Sequence, residues 1–254
     1  MSTIKNTERE KIIHDDKVIK ALVDSDIFIE GPYTASSGVK LPIAGYIERV
    51  FAYPKQFKTI IKSMARAVKS LKIDCIMGCA MVGVPFADAV AYELGIPMCP
   101  IRSSKSSHGV ITYLAGTVPD ECKNILLFDD WNGSWASVKK FYDIVNEYGI
   151  KPKYVMSIVE SFEDMETRKN VSEFLEKEDL KFIAFCTFRD LIDQYLNDGK
   201  IGQELHDIMS NLLENPELFA NDKSNIAGFI KLKESGKTAG LKPKTIVEKK
   251  FEIR

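Results

Sequence analysis

At 254 residues, with 45% hydrophobic and 28% charged side chains, the chain can bury a full core and exceeds a typical single domain. With a formal net charge of -1 nothing in the composition points to a strongly basic nucleic-acid face, to an acidic tail or to disorder. The apolar runs Ile73 to Met77 and Ile125 to Phe128 are far too short to cross a bilayer, and Met1 to Glu10 lacks a signal-peptide core, so a cytoplasmic protein is expected.

Taken in chain order, apolar residues recur at helical intervals from Glu8 to Val23, which predicts an N-terminal helix. Ile27 to Ile29 reads as a short strand, followed by a polar turn from Gly31 to Gly38. A second helix is predicted from Pro54, because Phe57, Ile60, Ile61, Met64, Ala65, Val68 and Leu71 form one apolar stripe and proline suits a first helical turn. The pattern then changes to short apolar runs alternating with amphipathic segments. Ile73 to Met77, Met98 to Ile101, Asn124 to Phe128, Tyr154 to Val159 and Phe182 to Phe185 read as buried strands, with helices at Val84 to Leu94, Ser134 to Tyr148 and Met165 to Glu176. This predicts an α/β fold with a mostly parallel sheet and flanking helices. Ligands of such sheets bind outside the carboxyl ends of the strands, so the segments after Met77, Ile101, Phe128 and Val159 should carry the chemistry.

Beyond Leu196, Ile201 to Leu213 reads as helical, and Asn215 to Arg254 is polar with a lysine-rich run from Lys242 to Lys250. A solvated tail or an oligomerisation arm is expected there, not a nucleic-acid contact, since Glu248 interrupts the run. The expected organisation is an N-terminal helix and hood over 1–53, a core over 54–197 and an extension over 198–254. The five cysteines, Cys75, Cys79, Cys99, Cys122 and Cys186, are odd in number and sit mostly in apolar stretches, which suits buried thiols. His14 and His206 read as surface residues, and Glu163, Asp164 and Glu166 as acids at a helix start.

The most informative segment is Asn124 to Ser137, an apolar strand running into Asp129 and Asp130 and then a Gly/Ser turn that opens a helix. Amides and hydroxyls of Gly133, Ser134 and Ser137 at a helix start can hold a phosphate. The two acids can accept ribose hydroxyl protons or stabilise a cationic sugar. Helix capping is the plainer role for such acids. Trp131 and Trp135, the only two tryptophans, flank this loop and suggest stacking on a base, with core packing of Trp135 the alternative.

This segment resembles the phosphoribosyl-pyrophosphate motif of the type I phosphoribosyltransferases, and further segments resemble orotate phosphoribosyltransferases in particular. Gly31 to Gly38 with Lys40 and Pro42 is similar to the turn that contributes to the base pocket, which implies substrate contacts from Ser36, Ser37, Gly38 and Lys40. Gly78 to Pro85 matches the glycine frame of the pyrophosphate loop. Arg102, Lys105, His108, Gly109 and Gly116 resemble the mobile catalytic loop, and Cys186 to Leu196 the closing strand and helix. The resemblance covers most of residues 26 to 197.

It implies transfer of ribose 5-phosphate from phosphoribosyl pyrophosphate to a nucleobase-like acceptor, with Mg offsetting the pyrophosphate charge. Asp129 and Asp130 would hold the ribose and, indirectly, the metal. Lys105 and His108 would close over the leaving group beside Arg102, and the protein would be a homodimer. The sequence departs from the family at Gly133-Ser134-Trp135, where two threonines and a glycine are usual, and at Met81 or Val82, where a cation is usual. It departs again at Ser103, Ser106 and Ile29, where lysines are usual, and at Ser161, where an arginine pairs with the orotate carboxylate. An acceptor other than orotate is therefore expected. The alternatives are a non-catalytic member binding nucleotide, nucleic acid or a protein partner, and an orotate phosphoribosyltransferase with shifted contacts.

Overall fold

The computed structural model describes residues 9–34, 40–79, 81–161, 165–214, 219 and 223–241. The chain divides into two compact units, one of Met1–Val18 with Phe57–Thr187 and one of Ile19–Gln56 with Phe188–Arg254. Residues of the expected hood and of the expected C-terminal extension thus belong to the same unit.

The first unit is built on a parallel sheet with the strand order β1 (Glu10–Ile12), β8 (Lys181–Thr187), β7 (Tyr154–Glu160), β5 (Ile125–Phe128), β4 (Cys75–Gly78), and a two-residue β6 (Trp131–Asn132) adds to β7. Its strands are apolar on both faces, as a sheet covered on both sides requires. On one face Leu127, Val155, Phe182 and Ala184 share a core with Val138, Phe141 and Val145 of α4 (Ala136–Glu147) and Val171 and Leu175 of α5 (Met165–Lys177). On the other, Phe128 lies 6.1 Å from Phe86 of α3 (Gly83–Leu94), which in turn lies 5.3 Å from Phe57 of α2 (Pro54–Ser70). The predicted stripe of α2 is its buried face at Ile60, Ile61, Met64, Ala65 and Val68.

Two expectations about elements of the first unit are corrected. The helix read from Glu8 starts at Asp16: α1 (Asp16–Asp24) is capped by Asp15, whose carboxylate accepts from the amides of Lys17 and Val18 at 2.9 and 3.2 Å. Glu10–Ile12 instead pairs with β8, and that distant edge outweighs the local helical spacing. Met98 to Ile101 makes only isolated bridges, parallel from Ile76 to Met98 and Cys79 to Ile101 and antiparallel from Ile101 to Leu114, in a segment where Pro97 and Pro100 lack amide donors for a continuous ladder.

In the second unit an antiparallel pair, β2 (Phe28–Thr34) and β3 (Lys40–Gly45), is accompanied by α6 (Phe188–Asn197), α7 (Gln203–Glu214) and α8 (Lys223–Glu234). Phe28 stacks on Tyr195 at 4.5 Å, and the Tyr195 hydroxyl accepts from the Phe28 amide at 3.1 Å. Lys233 donates to the Gly31 carbonyl at 2.7 Å and pairs with Glu30 at 3.6 Å, so α8 is held to β2 by polar contacts. His206 is not a surface residue: its side chain is 15% exposed and its Nε2 lies 2.6 Å from the Asp193 carboxylate, between α7 and α6. All five cysteines are buried and unpaired by disulfides.

The glycine frame has a steric cause. A Cβ on Gly78 would sit 2.9 Å from both the Ala87 Cβ and the Val84 Cα of α3, and one on Gly83 would sit 3.0 Å from the Phe128 carbonyl. Gly78→Ala should therefore force α3 away from β4. The expected result is a loss of about 1–3 kcal/mol, read as a lower denaturant midpoint at unchanged slope; an unaltered midpoint would contradict the close packing.

Candidate functional site at the strand ends

β4 and β5 end at one level because Gly78 pairs with Phe128, whereas β7, opposite Phe128 at Met156, runs on to Glu160. The chain leaves β5 at Asp129, whose amide donates to the Met156 carbonyl at 3.1 Å, while the Cys79 amide donates to the Phe128 carbonyl at 2.8 Å. The carboxylate of Asp129 accepts from the Asp130 amide at 3.1 Å. Asp129 is 7% exposed, and burial pushes its carboxyl pKa above the usual aspartate value of 3.8, with the hydrogen bond from Asp130 opposing. Asp130 is half-buried beside it.

The loop then runs through β6 to the start of α4. Ser134 Oγ accepts from the Ala136 amide at 3.4 Å, and the first intrahelical bond runs from the Lys139 amide to the Trp135 carbonyl at 3.0 Å. The amides of Ser137 and Val138 thus point beyond the helix start, with Ser134 and Ser137 exposed and Gly133 half-buried. No acid stands in the first turn of α4, so its positive end is uncompensated there.

Trp135 corrects an expectation. Its side chain is 2% exposed and meets Phe182 edge-on at 4.6 Å, inside the core between α4 and the sheet, where it offers no face to a base. Its backbone sits at φ 62, the left-handed conformation that suits the glycine of the family pattern. The strain, roughly 1–2 kcal/mol, is offset by burying a large ring. Trp131 is different. It is half-buried, and its Nε1 donates to Ser161 Oγ at 2.7 Å.

Arg102, Lys105 and His108 lie in a loop from Pro100 to Ala115 that folds back on itself. The Arg102 amide donates to the Tyr113 carbonyl at 2.8 Å and the Ala115 amide to the Pro100 carbonyl at 2.9 Å. The Tyr148 hydroxyl at the end of α4 accepts from the Tyr113 amide at 3.1 Å and bonds Thr112 Oγ1 at 3.0 Å, and these bonds lower its pKa. Each of these side chains is engaged within the loop: Arg102 Nη1 donates to the Leu114 carbonyl at 2.7 Å, Lys105 lies 5.4 Å over the Tyr113 ring, and His108 lies 3.1 Å from Ser107 Oγ. The tip is solvated, with Lys105, His108, Val110 and Ile111 exposed. Lys40 begins β3 in the second unit and is exposed. Ser36, Ser37 and Gly38, like Glu163, Asp164 and the Lys242 to Lys250 run, lie outside the described residues.

A model of the phosphoribosyl transferase domain matches residues 47–187, which contain every strand end of this site. The chain belongs to the phosphoribosyltransferase family. Its likeness to curated members is distributed over most of its length: it is 27% identical over 187 residues to an orotate phosphoribosyltransferase of Methanosarcina mazei, covering 74% of this chain and 94% of that one. A Sulfurisphaera tokodaii orotate phosphoribosyltransferase is 27% identical over 212 residues, 84% of this chain and 96% of the other. The phosphoribosyltransferase fold is shared with a solved Leishmania donovani UMP synthase at a TM-score of 0.66 and 21% identity; 78% of this chain is covered, and it spans 42% of that longer one.

Sequence reading missed a row of buried polar side chains at the ends of three adjacent strands. Asn132, Glu160 and Thr187 are in register and 2%, 2% and 5% exposed, and Asn132 Nδ2 has no hydrogen-bond partner among the described residues. An asparagine ending a two-residue strand gives no periodic signal.

The raised pKa of Asp129 sets a pH dependence. The folded chain takes up this proton before the unfolded chain does, so the cost of the buried charge is complete above the folded pKa and falls away as pH drops through it. Asp129→Asn should raise the thermal midpoint at pH 7, by about 2–4 °C if roughly 1 kcal/mol is recovered, and flatten that part of the stability profile. A lower midpoint would mean that the charge is compensated in the fold.

Proposed function

We propose that the protein transfers ribose 5-phosphate from phosphoribosyl pyrophosphate to a nucleobase-like acceptor. The observation that carries this reading is the run of Asp129 and Asp130 from the end of β5 directly into the uncompensated start of α4. Such a run offers both kinds of group that a sugar phosphate needs. The amides of Ser137 and Val138, with the hydroxyls of Ser134 and Ser137 and the backbone of Gly133, receive the 5'-phosphate. The carboxylates of Asp129 and Asp130 receive ribose hydroxyl protons and offset positive charge as it develops on the sugar carbon.

Among the described residues no group of three or more His, Cys, Asp or Glu side chains could hold a metal, so the donor set suits Mg carried in by the pyrophosphate better than a resident ion. Asp129 and Asp130 would then act on Mg through the ribose and pyrophosphate oxygens; bound there, it neutralises leaving-group charge. Lys105 and His108, with Arg102 at the loop base, are the cations that would meet the departing pyrophosphate, and a solvated tip on a stapled base suits a lid. A homodimer is the assembly the family resemblance favours, and no described helix is long and apolar enough to cross a membrane.

For the acceptor, Ser161 at the end of β7 favours a compound other than orotate, since a carboxylate there would meet a hydroxyl in place of a guanidinium. Orotate is the competing acceptor, as the names of the relatives imply. A non-catalytic role in binding nucleotide, nucleic acid or a protein partner is favoured by Met81, 83% exposed where a cation is usual.

Calorimetric titration with phosphoribosyl pyrophosphate and magnesium tests the transfer reading. Binding in the micromolar range that the double variant Asp129→Asn, Asp130→Asn loses at least about a hundredfold is expected, the weight of two charge-assisted contacts; absence of binding to the unaltered protein would overturn it.

A further inference from the structure

One helix holds both arms of the loop from Pro100 to Ala115. Lys140 of α4 donates to the Ser103 carbonyl on the outgoing arm at 3.2 Å, and Tyr148, directly after that helix, meets Thr112 and Tyr113 on the returning arm. Eight residues separate the two contacts, about 12 Å along the helix axis. The same helix opens with the amides of Ser137 and Val138, so a single rigid element carries the phosphate-receiving start and the grip on the loop.

The grip of Tyr148 is made by its hydroxyl. The Thr112 hydroxyl and the Tyr113 amide donate to Tyr148 Oη at 3.0 and 3.1 Å, and these donors, with the Lys105 ammonium nearby, hold the phenol pKa below its usual 10.0. Thr112 Oγ1 accepts in turn from the Leu114 amide at 3.0 Å. The side chain of Tyr148 is 40% exposed and buries little, so the hydroxyl is what the position uses. Through Tyr113 the grip reaches Lys105. Both backbone groups of Tyr113 are committed, the amide to Tyr148 and the carbonyl to the Arg102 amide at 2.8 Å. Its ring packs on the core of the first unit, with the Lys105 ammonium 5.4 Å over its centre.

We propose that Tyr148 is a positioning residue: it fixes Tyr113, and the Tyr113 ring seats Lys105 where the loop can present it to the leaving pyrophosphate. This inference rests on the transfer reading above and adds the side chains that aim the lysine.

Calorimetry with two ligands that differ in the pyrophosphate tests it. Tyr148→Phe keeps the ring and removes the hydroxyl. Its affinity for phosphoribosyl pyrophosphate with magnesium should fall by about three- to tenfold, the weight of exposed hydrogen bonds that water partly replaces. Its affinity for ribose 5-phosphate, which lacks the group Lys105 meets, should stay within about twofold. Trypsin cutting after the exposed Lys105, mapped by mass spectrometry, reads the loop directly and in the donor complex should run about three- to tenfold faster in the variant. Tyr113→Leu should give the same pattern, and the double variant no more than the larger single loss, because both changes act on one chain of contacts. Equal weakening of both ligands marks a general structural defect, and additive losses mark separate roles; either result overturns the proposal. Donor binding that Tyr148→Phe leaves unchanged sinks only the positioning inference, whereas no donor binding by the unaltered protein sinks the transfer reading and this inference with it.

Discussion

The site depends on β5 being locked between β4 and β7. Cys75 to Gly78 pair with Ile125 to Phe128, and Leu126 to Phe128 pair with Tyr154 to Met156, so β4 and β5 stop together while β7 continues beside the loop that leaves β5. A slip of one residue would turn Leu127 out of its core and send Asp129 to the wrong level. The register is held from both faces, by α4 and α5 on one side and α3 on the other. Gly78 permits the close crossing of α3, and Gly83 brings the start of that helix to within 3.5 Å of the Asp129 Cα, measured from the Cβ it lacks. Packing and chemistry are therefore one constraint: the glycines that let the layers close also bring two loops together over the acid pair.

Legibility of the fold followed burial. Strands covered on both faces carry unbroken apolar runs, and β4, β5, β7 and β8 were readable for that reason. β1 was not, because its three residues are defined by a partner more than 160 positions away, and Ile12 and Ile13 fit the spacing of a helix equally well. β6 has two residues and no period to detect. The site divides the same way. Asp129 and Asp130 stand out because two adjacent acids end an apolar run, whereas Asn132, Glu160 and Thr187 become a row only through the registers of three strands. No local pattern contains that information.

Trp135 shows how a loop can lose its usual residue and keep its course. The backbone at φ 62 is the conformation a glycine would supply, and the tryptophan adopts it because its ring is anchored against Phe182. The consequence is a divided loop. Trp135 is committed to the core and fixes where α4 begins, whereas Trp131, four residues earlier, stays half-buried at the strand ends with its indole aimed at Ser161. The two residues look alike in sequence and differ only in what lies on their side of the sheet.

The stapled loop from Pro100 to Ala115 completes the same logic. Its base is tied to the sheet through the Ile101 amide on the Gly78 carbonyl at 2.9 Å and to the end of α4 through Tyr148, so both of its anchors belong to elements that also shape the acid-pair loop. Its cations are satisfied by the loop's own carbonyls and ring, bonds worth about 1 kcal/mol each in solvent. Such bonds are weak enough to exchange for a pyrophosphate oxygen, which offers a full negative charge where Leu114 and Tyr113 offer a dipole and a π face. If the loop closes as a lid, these anchors would confine the movement to the tip that carries Lys105 and His108.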